Sequence, residues 1–246
     1  MKKLLRQIGD SKYLVFLDLE GTQESHEMIA IGAVVVTLKK DKTLRKQSKG
    51  FKRYVLAKKR IGFYVTKLTG INESHLKAKG IPYKLALEEF KEYVGKKWDK
   101  AKFVTFGNHD IRIFNQSLLH STDADKDIVK YIGKNFIDLS DILSEFIKDE
   151  NGNPYSLLNY CKMFNLDFNG TQHDPLDDAI NLGRLYDAMM KSPETLYKEY
   201  LKVLVHHSKL PEPVLVATQK LIEGENVSAT DFSNIVKEYI EAEPKK

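Results

Sequence analysis

Asp18 and Glu20 stand two residues apart at the end of the apolar run YLVFLDLE (13–20), which is rich in strand formers and stops at Gly21. In a strand, side chains at i and i+2 project to one face, so both carboxylates lie together at the carboxyl end of an otherwise apolar strand. Two like charges so placed raise each other's pKa and cost free energy unless a cation sits between them. The plainer alternative is that they mark the edge where the strand surfaces. Asp110, in FVTFGNHDIRIF, again lies directly beyond a short apolar strand and at the start of a helix. Sites in open α/β sheets gather at the carboxyl ends of strands, although an Asp at that point is also a standard N-cap, the better reading if it stands alone. A third group is HDPLDDA (173–179). Pro175 suits the first helical position, which makes Asp174 the N-cap and Asp177 a favourable first-turn acid. His173 then lies just outside the helix and Asp178 one turn in, so both can face one cleft; alone, His173 reads as a surface-loop histidine.

These groups need a scaffold, and the pattern along the chain supplies one. MIAIGAVVVTL (28–38) reads as a second, largely buried strand and FKRYVLA (51–57) as a third. From Tyr83 to Trp98 the apolar spacing becomes helical, with Pro82 just before it. KFVTF (102–106) is a short strand followed by a helical segment from Asp110, and 136–147 passes from an extended piece into a helix. NGNP (151–154) is a turn by composition, a helix runs to about Phe164, and a long one spans Pro175 to Met190. Three antiparallel strands followed by alternating helices and strands predict an α/β domain with a mixed central sheet. KSPET marks a junction near residue 190, after which helical stretches at 194–208, 212–223 and 230–242 carry no strand candidate. The expected organisation is a domain over 1–190 and a helical C-terminal extension over 191–246.

At 246 residues, 42% apolar and 30% charged, the composition is that of a globular chain with one sizeable core and an appendage. No apolar run approaches the roughly 20 residues of a membrane span. The basic, apolar start is signal-like, but Gln7, Gly9 and Asp10 interrupt it and no small-residue cleavage site follows. The single cysteine, Cys161, excludes an internal disulfide and reads as a buried thiol, and the expected compartment is the cytoplasm. Net charge is only +5, yet eleven basic residues fall between Lys39 and Arg60 against one acid, Asp41. Such a block can attract phosphates, or it can be a solvated hairpin kept soluble by lysine. Phe51, Tyr54, Phe63 and Tyr64 nearby are stacking candidates for unpaired bases, or core.

Taken together, the order and spacing of the three acidic groups resemble the DEDD superfamily of 3′→5′ exonucleases in its histidine-containing branch, the type of RNase T and the DNA polymerase III proofreading subunit. The D-x-E motif with a small residue and Thr is similar to Asp18, Glu20, Gly21 and Thr22, the second motif to Asp110, and the third, His with an Asp five positions on, to His173 and Asp178. EMIAIGAVVV and YVTKLTGINESHL resemble the segments of the second strand and of the stretch after the third. GNHD and the length look most like the Eri-type RNases. The resemblance covers about residues 12–190 and implies an RNase H-like mixed sheet flanked by helices. It implies two divalent cations, Mg²⁺ or Mn²⁺, on Asp18, Glu20, Asp110 and Asp178, with Asp18 bridging and His173 as base. Gly21, Thr22, Leu68 and His173 would touch the substrate, a single-stranded RNA or DNA with a free 3′ end, and the products would be nucleoside 5′-monophosphates. Rival expectations are a proofreading subunit docking a polymerase through its tail, a non-catalytic nucleic-acid-binding protein of the same fold, and a homodimer.

Overall fold

The computed structural model describes residues 1–241. The C-terminal extension expected over 191–246, and the helix expected to reach 242, therefore end outside the described residues. Among the described residues, seven strands form one mixed sheet: β1 (Tyr13–Gly21), β2 (Met28–Leu38), β3 (Leu44–Gln47), β4 (Phe51–Val55), β5 (Gly80–Ile81), β6 (Ala101–Thr105) and β7 (Phe136–Asp138). Their order is β5-β4-β2-β1-β6-β7, with β3 also on β2. β2 runs antiparallel to β1, β3 and β4, whereas β1–β6, β6–β7 and β4–β5 are parallel. With helices on both faces this is the RNase H-like mixed sheet expected.

β1 is apolar on both sides because both faces are covered. Val15, Leu17 and Leu19 join a core with Leu87, Phe90, Ile113 and Phe114, which come from α4 (Tyr83–Val94) and α5 (His109–His120). On the other face, Phe16 meets Tyr186 of α9 (Pro175–Lys191) at 5.5 Å between ring centroids. Asp18 and Glu20 appear only where that apolar run is ending. The helix expected over Tyr83–Trp98 is broken at Gly95, whose φ of +58° stops α4; a 3₁₀ turn then carries Trp98 into the core.

Several elements go beyond the sequence reading. The first residues form α1 (Lys2–Ile8), with Leu4 and Ile8 buried. The basic stretch after β2 is not one hairpin turn, since it includes β3. α2 (Phe63–Thr69), α3 (Glu73–Lys79) and α6 (Lys126–Lys134) fill gaps between the expected elements, and α7 (Leu139–Ser144) and α8 (Leu157–Met163) lie where helix was expected. The last three helices are α10 (Pro193–His207), α11 (Glu212–Ile222) and α12 (Ala229–Glu241).

The chain divides into two compact units, one of Met1–Ile142 and Ser156–Lys191, the other of Leu143–Tyr155 and Ser192–Lys246. Within the second, Phe146 lies edge-on to Tyr200 at 5.6 Å and the His207 imidazole is 3.0 Å from the Asp149 carbonyl oxygen. No helix among the described residues is long and apolar enough to cross a membrane.

Candidate active site

β1 delivers Asp18 and Glu20 to the same face, as strand geometry requires. A register shift between Glu20 and Gly21 then interrupts the ladder with β2 before its last pair, Gly21 with Met28. Asp18 pairs with Gly32, and this glycine matters: a Cβ there would lie 2.1 Å from the carbonyl carbon of Pro175. Only a bare backbone at Gly32 lets the first turn of α9 settle against the sheet. That approach brings the third acidic group to the first.

Asp110 enters from the other side. It is the second residue of α5, not its cap, and is only 4% exposed. Its carboxylate accepts the Leu19 N–H at 2.8 Å, which fixes it to the stretch of β1 that carries Asp18 and Glu20. The helix-capping alternative for Asp110 therefore does not hold. Asp174 does cap α9, through Leu176 and Asp177 N–H, and Asp177 accepts the Thr171 N–H. Asp178 accepts the His173 N–H at 3.0 Å, closing the loop on itself. His173 takes a φ of +63°, uncommon for a residue with a side chain. Among the described residues, one ligand atom each of Glu20, His173 and Asp178 lie within 4.8 Å of one another.

The electrostatics follow from crowding. Burial, then the charges of Asp110, Asp178, Glu20 and Asp174, hold the Asp18 carboxyl well above its ordinary range. Burial first and the Asp178, Asp110 and Asp174 carboxylates next push Glu20 up to about 8. Burial raises Asp110 to about 7 and Asp178 to about 6, against the lowering effect of the N–H bonds each accepts. Partial burial lowers His173 below its usual value, which favours the neutral ring. A set of hard carboxylate oxygens that repel one another so strongly fits a divalent cation, whose charge would reverse those shifts.

The remaining expected residues fare differently. Gly21 packs tightly, since a Cβ would come within 2.9 Å of the Ile113 side chain. Thr22 is buried, and its hydroxyl accepts the Glu27 N–H and bonds Ser25 Oγ. That hydroxyl therefore closes the turn between Thr22 and Glu27. Leu68 is 56% exposed on α2, beside Phe63 and Tyr64 at 73% and 70%. Phe51, by contrast, is core. Cys161 is buried, and burial pushes its thiol up to about 11.

The basic block is only partly available to phosphates. Lys42 donates to the Gly9 and Ser11 carbonyls, Arg53 pairs with Glu89 and Lys52 with Asp174. Lys59 and Arg60 do line a cleft of about 660 Å³ with Gln23, Glu24, Ser25 and Gly62. The Glu27 carboxylate holds that rim by accepting the Lys58 and Lys59 N–H groups. The sequence reading did not single out Glu27 or the inward turn of Lys52, because both depend on contacts between distant segments.

A family model described as RNase_T, exonuclease, matches residues 15–186. Among curated proteins, none matches the chain in sequence. Solved structures similar in fold include the nuclease domain of 3'hExo, a DEDDh family member, bound to rAMP: 19% identical, TM-score 0.60, covering 75% of this chain and 94% of that one. Cell-death related nuclease 4 (CRN-4) is 18% identical, with a TM-score of 0.58 over 74% of this chain and 64% of its own. E. coli exonuclease I in complex with a dT13 oligonucleotide is 14% identical, TM-score 0.57, over 78% of this chain and 44% of its own. The matched region thus spans under half of exonuclease I.

Proposed function

Because the chain belongs to the RNase T exonuclease family, we propose that this nuclease removes nucleotides one at a time from the 3′ end of single-stranded RNA or DNA, releasing nucleoside 5′-monophosphates. One observation carries the reading: ligand atoms of Glu20, His173 and Asp178 lie within 4.8 Å of one another, and Asp110 is bonded to the Leu19 N–H between the Asp18 and Glu20 positions of the same strand, so the carboxylates crowd one another. No structural purpose is served by such repulsion, and divalent cations relieve it.

Asp18, Glu20, Asp110 and Asp178 would hold two cations, Mg²⁺ or Mn²⁺. When bound, these supply Lewis-acid stabilisation of the charge that develops on the attacking and leaving oxygens. The chain's own part is to orient and to move a proton. His173 accepts the proton of the attacking water; its main chain is held by the N–H it donates to the Asp178 carboxylate. Leu68, with Phe63 and Tyr64, offers an apolar surface to unpaired bases, and Lys59 and Arg60 offer charge to the phosphates behind them. The nuclease domain of 3'hExo is bound to rAMP and E. coli exonuclease I to a dT13 oligonucleotide, both nucleic acid of the proposed substrate class.

The test is release of mononucleotides from labelled RNA and DNA oligomers, single- and double-stranded, with Mg²⁺ or Mn²⁺. Asp18→Asn is expected to abolish release and to keep the fold; an equally active variant would falsify the assignment. Shortening from the 5′ end would reject the polarity.

A further inference from the structure

Lys52 lies within the basic block, yet its ammonium is turned inward. Its Nζ forms an ion pair with the Asp174 carboxylate, and the two side chains are only 24% and 28% exposed. The same Nζ lies 5.1 Å from the centroid of the Tyr54 ring. Asp174 divides its carboxylate: Oδ1 accepts the N–H groups of Leu176 and Asp177, and Oδ2 takes the ammonium. Its carbonyl oxygen accepts the Asp178 N–H at 2.9 Å. Asp174 thereby ties together the loop carrying His173, the helical turn carrying Asp178 and a lysine of the sheet.

Sheet register puts the lysine there. Asp18 pairs with Gly32 and Gly32 with Lys52, so the three form one row across β1, β2 and β4 and share a face. Pro175 occupies the space above the middle of that row. The loop therefore runs between a carboxylate on one side and an ammonium on the other. His173 sits next to Asp174 in its left-handed conformation. A residue with a side chain keeps such a conformation only where its surroundings over-determine it. The His173 N–H bond to Asp178 supplies one restraint, and the Lys52–Asp174 pair on the adjoining residue supplies another.

We propose that Lys52 is a positioning residue for the reaction: by anchoring Asp174 it fixes the turn that aims the His173 imidazole towards Glu20 and Asp178. The inference rests on the reading of His173 as proton acceptor. A lysine that bound substrate phosphate would act on affinity; a lysine that holds the loop acts on turnover.

The experiment compares the full chain with Lys52→Met, Lys52→Arg, Asp174→Ser and the Lys52→Met/Asp174→Ser double variant on a single-stranded oligonucleotide with Mn²⁺. Serine keeps a capping oxygen but is too short to reach Lys52. Lys52→Met is expected to lower kcat at least about tenfold, the scale of a small misplacement of a catalytic group, with KM within about twofold. Lys52→Arg should recover most of the rate, and the double variant should be no worse than either single one, since the pair acts as a unit. An unchanged kcat, a loss confined to KM, or effects that multiply in the double variant would each overturn the proposal. Melting temperatures report folding, and if Lys52→Met does not fold, Asp174→Ser carries the same kcat-against-KM comparison. A wild-type chain inactive on every oligomer defeats the proposed function itself; an active wild type with an equally active Lys52→Met defeats this inference alone.

Discussion

Each acid of the site is held differently, and the difference has thermodynamic consequences. Asp110 and Asp178 each accept a backbone N–H, yet burial still lifts them to about 7 and 6, and Glu20 to about 8. A carboxyl group whose pKa is raised on folding favours the folded state fully below its unfolded value near 4, and that contribution disappears as pH climbs through the folded value. In chelator, the melting temperature should therefore fall between about pH 5 and pH 8.5. Mn²⁺ should restore it, and by more at the upper end; thermal scans across that range check both, and a flat profile would remove the crowding. Asp18→Asn should flatten the fall, because it removes the most crowded charge. His173→Ala should lower the rate by about 10²–10⁴-fold at neutral pH while keeping the Mn²⁺-induced rise in melting temperature. Loss of that rise would make His173 a cation ligand. At this scale Asp18 and Glu20 were legible, because strand alternation alone puts them together. Asp110 was not fully legible: its position suggests a cap, and its actual partner, the Leu19 N–H, lies on β1, far away in sequence. Nor does local sequence reveal that His173 is left-handed.

Among the elements, β2 and α9 meet backbone to backbone at Gly32 and Pro175. Gly32→Ala cannot be accommodated by a change of rotamer, since the obstructing atoms are main chain. We expect a loss of about 1–3 kcal/mol, the usual cost of overpacking, together with a fall in activity larger than the stability loss explains. Denaturant unfolding beside kinetics checks this, and a variant of normal stability and rate would show that α9 can ride outward freely. The major elements were legible from period and length: β1, β2, α4 and α9 carry long apolar patterns. β3 was not, because its sequence LRKQ has no apolar alternation and its place is set by pairing with β2. α2 was missed for a related reason: Phe63, Tyr64 and Leu68 point outward, so its pattern is not that of a core-facing helix.

The whole chain folds as two units, and the second takes in Leu143–Tyr155 as well as the C-terminal helices. A boundary drawn at a single residue near 190 separates Tyr200 and His207 from Phe146 and Asp149. Truncation after Lys191 is thus expected to open the 143–155 segment to proteases, with cleavage there several-fold faster than in the full chain. Limited proteolysis with mass spectrometry decides it, and equal protection would show that the segment needs no C-terminal partner. Composition had revealed the change of character near Lys191, but the earlier segment could not be assigned by periodicity, as its partners lie some fifty residues on. The basic rim at Lys58 and Lys59 is shaped through main-chain N–H groups held by the buried Glu27, not through the lysine side chains. Shape and charge are therefore separable there: the lysines can be exchanged to retune salt sensitivity or strand preference, with the loop beneath them undisturbed.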